Sequence, residues 1–205
     1  GEPICVEENG GERPCELVIL AMGKLGGREP NYHSDLDVIF LYQADGTTRH
    51  GHRAKQHQTT SNQHFFSQLG QRIIKVVGRL GPYGRLYELD LRLRPTGKSG
   101  SLAVSLAEFA RYFSEGHGQL WERQALCKAR VIFGSDEARA EVMDVVRRTI
   151  VEPGWQADDT DQIRQMRKRM EETASPRNLK RGPGGTVDVE FIAQMLQLKH
   201  AARSP

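Results

Sequence analysis

Residues 17–42, LVILAMGKLGGREPNYHSDLDVIFLY, hold the pattern that decides the fold. Leu17–Met22 is a short run of Leu, Val, Ile and Ala ended by Gly23, which predicts a buried strand. Gly23-Lys24-Leu25-Gly26-Gly27 then reads as a turn, and Leu36–Tyr42 as a second strand closed by Ala44-Asp45-Gly46. Asp35 and Asp37 stand two residues apart at the start of that second strand, so both side chains point to one side of the sheet. Two carboxylates held together repel each other. A divalent cation relieves the repulsion, and Mg²⁺ prefers such hard oxygen donors.

Further along, Phe65, Phe66, Leu69, Ile73, Val76, Val77 and Leu80 recur at three- and four-residue steps. They predict an amphipathic helix capped at Thr60 or Ser61 and ended by Gly81-Pro82. Leu86–Leu93 returns to a two-residue period, with Leu89, Leu91 and Leu93 on one face and Glu88, Asp90, Arg92 and Arg94 on the other. Asp90 can supply a third carboxylate. Three such groups can hold two metals roughly 3.5–4 Å apart, the geometry of in-line nucleotidyl displacement. Gly26 and Gly27 offer close backbone approach and N–H donors to a phosphate, Ser34 a hydroxyl, and Arg92 and Arg94 a grip on phosphate oxygens.

Each piece has a plainer reading. An isolated Asp-x-Asp is commonly a solvated turn, and Gly-Gly turns need no ligand. GKLGG also lacks the spacing and Lys-Ser/Thr ending of a P-loop. Alternating Arg and Asp on a strand is most often cross-strand pairing. The ordered combination of glycine turn, Ser-Asp-x-Asp strand, helix and hydrophobic-Asp-hydrophobic strand favours the site.

Around this centre, residues 1–15 read as a loose polar lead-in and Arg49–Gln58 as a mobile surface loop. After a turn at Gly97–Gly100, helical patterns cover Leu106–Phe113, Gln119–Lys128 and Asp136–Val151, and everything beyond looks helical. Pro153-Gly154 marks a boundary, giving a catalytic domain over 16–152 and the start of a truncated helical domain over 153–205. There, a charged helix at Asp158–Thr173, a basic loop at Lys180–Gly185 and a last helix from Val187 are expected; the basic loop suits a cap on the site and a simple linker equally. His50, His52, His57 and His64 read as solvated, and Trp121 and Phe191 as core.

The 205 residues carry 38% hydrophobic and 27% charged side chains, which argues against wholesale disorder. With no apolar run of bilayer length and no signal-peptide pattern, a cytoplasmic protein without membrane attachment is expected. The three cysteines lack a CxxC pair and suggest neither disulfides nor zinc. A net charge of +3 and 7% aromatics do little for nucleic-acid binding.

Five segments, in order, resemble the signatures of one known family. They are Gly23-Lys24-Leu25-Gly26-Gly27-Arg28-Glu29, Ser34-Asp35-Leu36-Asp37-Val38-Ile39-Phe40, Asp90-Leu91-Arg92-Leu93-Arg94-Pro95, Trp121-Glu122-Arg123-Gln124-Ala125-Leu126 and Gly184-Gly185-Thr186-Val187-Asp188-Val189-Glu190-Phe191. They are similar to those of glutamine synthetase adenylyltransferase/adenylyl-removing enzymes. The resemblance implies one nucleotidyltransferase module of α+β, polymerase-beta-like fold, with a mixed sheet flanked by helices and a helical domain following. It carries the metal and catalytic roles onto Asp35, Asp37 and Asp90, and nucleotide contacts onto Gly26, Gly27 and Ser34. It further implies Mg²⁺, ATP as substrate, glutamine synthetase as protein substrate, and a PII-type nitrogen-signalling protein as partner. His33 departs from the small residue relatives often have before Ser-Asp. Ser34–Asp37, Trp121–Leu126 and Val187–Glu190 look more like the AMP-attaching module, whereas Met22-Gly23 and Arg28-Glu29 also occur in the AMP-removing one.

Overall fold

The computed structural model describes residues 2–6, 11–32, 34–49, 59–82, 84–85, 87–175 and 177–203. His33, His50, His52 and His57, and most of the expected loop over Arg49–Gln58, lie outside them. No helix of the described residues is long and apolar enough to cross a membrane.

The first fifteen residues depart from the loose lead-in expected of them. Glu2–Val6 (β1) and Glu12–Pro14 (β2) pair antiparallel, with Cys5 opposite Arg13. On its other edge β1 takes up Thr48 and Arg49, which removes Arg49 from the expected loop. The buried side chains of this segment are Cys5 and Cys15, so the polar neighbours hide the strands in the sequence.

Leu17–Ala21 (β3) forms as its apolar run predicts. Gly23–Gly26 (α1) closes a short helical turn where a plain turn was expected, and Leu36–Tyr42 (β4) follows. β3 and β4 are antiparallel neighbours, Leu17 opposite Tyr42 and Ala21 opposite Val38. Thr48–Arg49 is β5, and Asn62–Val77 (α2) has the predicted cap: Ser61 Oγ accepts from His64 N–H at 3.1 Å. The helix ends at Gly78, before Gly81-Pro82.

The strand expected over Leu86–Leu93 contracts to Leu89–Asp90 (β6). Beyond Asp90 the chain turns, with Gly97 N–H on Arg94 C=O at 2.8 Å. Leu91 and Leu93 fall into different cores, so their alternation with Leu89 does not mark one strand face. The chain rejoins the sheet at Ala103–Ser105 (β7), and β6 and β7 thus share the second edge of β4, both parallel to it.

Leu106–Ser114 (α3) and Leu120–Leu126 (α4) are followed by Arg130–Phe133 (β8), antiparallel to β3, in a region that reads as wholly helical from sequence. Asp136–Val151 (α5), Asp159–Glu172 (α6) and Thr186–His200 (α7) complete the order. The result is a mixed sheet, β6-β4-β3-β8 with β7 beside β4, flanked by helices.

Strand alternation splits the core. Val38, Phe40 and Tyr42 pack towards α2, where Phe66 stacks on Tyr42 at 5.1 Å between ring centroids. Ile39 and Leu41 pack with Phe109, Val142 and Val146 of α3 and α5. Asp35 and Asp37 share the parity of Ile39 and Leu41. Their side chains therefore emerge on that second face, past the end of its apolar layer.

Candidate active site

The register of two strands brings the carboxylates together. β4 pairs with β6 so that Asp37 stands directly beside Asp90, and Asp35 lies on the same face one step earlier. All three line one cavity of about 750 Å³. Burial raises the proton affinity of Asp37, and the negative charges of Asp90 and Asp35 raise it further, against opposition from Arg92 and Lys180. Asp90 is shifted the other way, held below the usual carboxylate range chiefly by its hydrogen bonds from Arg92. Arg92 N–H donates to Asp90 Oδ1 at 2.9 Å and Arg92 Nε to Asp90 Oδ2 at 2.7 Å.

Arg92 offsets Asp90 directly, whereas Arg92 and Lys180 offset the burial and the neighbouring charges at Asp37 only in part. Among the described residues no three acidic or histidine side chains are already gathered tightly enough to hold a metal. The donors nevertheless suit a hard divalent cation: three carboxylates converge from two paired strands, and the guanidinium occupying Asp90 sits on a side chain 65% exposed. Asp35, Asp37 and Asp90 are the residues that would hold Mg²⁺, with Arg92 swung off Asp90.

The glycines act differently from the sequence expectation. Gly26 N–H donates to Met22 C=O at 2.8 Å and Gly27 N–H to Gly23 C=O at 3.1 Å, so neither amide is available to a phosphate. Gly26 is needed for packing: a Cβ there would lie 2.0 Å from the backbone oxygen of Lys128. Gly23, at φ +49°, lets Asp37 lie against the start of α1, since a Cβ would come 2.5 Å from Asp37 Oδ2. The Ser34 hydroxyl is buried and engaged, donating to Asn31 Oδ1 and accepting from Asn31 N–H at 3.1 Å and Lys24 Nζ at 3.4 Å. Arg94 is turned to its own loop, donating to Leu91 C=O at 2.6 Å. It lines a neighbouring cavity with Asp35 and Asp90 rather than the main one.

Positive charge enters the cavity instead from Lys24, Lys128 and Lys180. Burial works against the Lys128 ammonium, but Glu190 at 2.9 Å and Glu29 at 3.0 Å outweigh it and hold its pKa above the usual lysine range. Glu190, which sequence left without a role, thus ties α7 to Lys128, two residues past the end of α4. Gln124 adds a second tie, its Nε2 donating to Gln194 Oε1 at 2.9 Å. Trp121 and Phe191 are not core as expected: Trp121 is 38% exposed, and both line the cavity. These lysines were legible only as members of quoted segments, because the three-dimensional approach of α4, α7 and the 179–180 turn has no local sequence signal.

Residues 2–145 match the family model described as glutamate-ammonia ligase adenylyltransferase. The chain belongs to this family. Residues 158–205 match a second model, described as GlnD PII-uridylyltransferase. Curated relatives named bifunctional glutamine synthetase adenylyltransferase/adenylyl-removing enzyme include those of Thioalkalivibrio sulfidiphilus, 40% identical over 94% of this chain, and Pseudomonas syringae pv. tomato, 38% identical over 93%. That of Shewanella frigidimarina is 36% identical over the whole chain. The chain spans about one fifth of the length of these relatives.

The adenylyltransferase-family segments now have positions. The first forms α1 against Asp37 and the second carries Asp35 and Asp37. Of the fourth, Glu122 accepts from Gln119 N–H at 2.8 Å, and Arg123 donates to Ile150 C=O at 3.0 Å and Gly154 C=O at 3.3 Å. Trp121 and Gln124 face the cavity. The fourth segment thus lines the cavity with Trp121 and Gln124 and, through Gln124 to Gln194, ties α4 to α7.

Proposed function

We propose that this chain is a Mg²⁺-dependent nucleotidyltransferase module, polymerase-beta-like in fold, that moves AMP from ATP to a tyrosine of glutamine synthetase. The observation that carries the reading is the β4–β6 register, which puts Asp37 beside Asp90 and Asp35 on the same face of one cavity. Mg²⁺ bound there would supply charge neutralisation for the triphosphate and a lowered pKa for the attacking hydroxyl. Asp35, Asp37 and Asp90 would hold the ion, with Asp90 also placed to orient the tyrosine oxygen for attack on the α-phosphorus as pyrophosphate leaves. Arg92, once released from Asp90, is within the same cavity to take phosphate oxygens. Trp121 and Phe191 offer the apolar surface that an adenine ring needs. Glutamine synthetase is the acceptor because the relatives' names specify it, and a PII-type protein is the expected regulator; these partners set the site of action in the cytoplasm.

The test offers the chain unmodified glutamine synthetase with Mg²⁺ and ATP labelled in the α-phosphate, and separately adenylylated glutamine synthetase with inorganic phosphate. Label on the tyrosine of the first, with no ADP from the second, is the expected result. ADP from the second alone would reassign the chain to AMP removal, and silence in both would overturn the reading.

A further inference from the structure

Of the cations lining the cavity, three have protein partners, Arg92 one that it would give up when a cation took Asp90. Lys128 is held by Glu29 and Glu190, Arg92 by Asp90, and Lys24 donates to Ser34. Among the described residues no ion pair holds the ammonium of Lys180, although it opens on the same cavity as the three aspartates. Its backbone, in contrast, is fixed at both groups. Lys180 N–H donates to Asn178 Oδ1 at 3.0 Å, and Lys180 C=O accepts from Val187 N–H at 3.1 Å.

The loop around it is braced from two helices. Arg167 of α6 reaches Gly182 C=O at 3.0 Å and pairs with Asp188 of α7, whose other oxygen takes Gly184 N–H at 2.7 Å. Arg181 is turned away from the cavity to Thr173 Oγ1 at 2.6 Å. A basic linker without a task would need no such bracing. Here a fixed backbone presents one uncommitted ammonium across from a carboxylate cluster, the arrangement that suits a polyanion bridging the two.

We propose that Lys180 binds the phosphoryl group beyond the α-phosphorus, and that the Arg167–Asp188 pair is its positioning device. The inference rests on the nucleotide reading above. Chemically the same position serves the β-phosphate of ATP in AMP attachment and the attacking inorganic phosphate in AMP removal, because that phosphate becomes the β-phosphate of ADP.

Binding of ATP, AMP and inorganic phosphate, each with Mg²⁺, to the unsubstituted chain and to K180Q, K180R and D188N tests it. The Lys180 side chain is exposed, so K180Q should melt as the parent does. K180Q is expected to weaken ATP by about tenfold and AMP by less than about twofold, with K180R intermediate. D188N should reduce the ATP-to-AMP preference in the same direction, a ratio that a loss of stability alone would not move. Inorganic phosphate that competes in a Lys180-dependent way would assign the position to the attacking phosphate, and a response of ATP alone to the leaving pyrophosphate. Equal weakening of ATP and AMP, or none, would overturn the role of Lys180. Failure of the parent to bind ATP would overturn the nucleotide reading and this role with it, whereas ATP binding abolished by D37N but untouched by K180Q would overturn Lys180 alone.

Discussion

Asp37→Asn should lower AMP transfer by about a thousandfold or more while raising the melting temperature of the metal-free chain by about 2–4 °C. The two effects have one cause. Asp37 is pressed by burial and by Asp90 and Asp35, so its proton affinity in the folded chain exceeds that of an ordinary carboxylate. A carboxyl raised in this way stabilises the fold when protonated and opposes it when ionised. The Asp37 contribution to stability should be greatest below the ordinary carboxylate range and be lost as pH rises through its raised folded value. In D37N that contribution to the decline disappears, and the two melting curves converge at acid pH. Thermal scans from acid to neutral pH, paired with turnover at neutral pH, measure both. A variant with parental turnover, or one less stable than the parent at neutral pH, would contradict the account of this cluster.

Gly26→Ala is the second large effect, and it should fall on stability. A Cβ at this buried position would stand 2.0 Å from Lys128 O and 2.9 Å from Ala21 O. Both are backbone atoms in or beside strands, so relief requires β3 or the approach to β8 to move, at a cost of about 3 kcal/mol or more. Gly27→Ala meets instead the flexible ends of Glu29 and Lys128 and should cost far less. Urea unfolding of the two variants compares them directly. A G26A variant that kept its unfolding midpoint would contradict the packing role of Gly26.

That contrast marks what sequence can convey here. β3 and β4 were legible as short continuous apolar runs, and α2 and α5 as apolar stripes of period near 3.6. That Asp35 and Asp37 share one face of the sheet was legible from parity alone. Their union with Asp90 was legible only as an expectation, since a two-residue parallel strand is specified by its partner β4 and not by its own residues. β1, β2, β7 and β8 are short, and their burial falls on one or a few side chains, so local composition reads as loop or helix. The glycines were read for freedom of approach to a ligand, whereas Gly26 lies against Lys128 across about a hundred residues of sequence. Lys128 escaped for the same reason, and the loop at Lys180 could be read equally as a cap or a linker, because nothing local announces that α4 and the loop before α7 meet over the sheet edge.

The most direct test of the central claim is calorimetric titration of ATP into the chain with Mg²⁺, repeated in EDTA and with the Asp35→Asn/Asp37→Asn variant. Saturable binding that needs Mg²⁺ and vanishes in the double variant is the result expected of a cation held by these aspartates; binding of equal strength in EDTA, or unchanged in the variant, would contradict it.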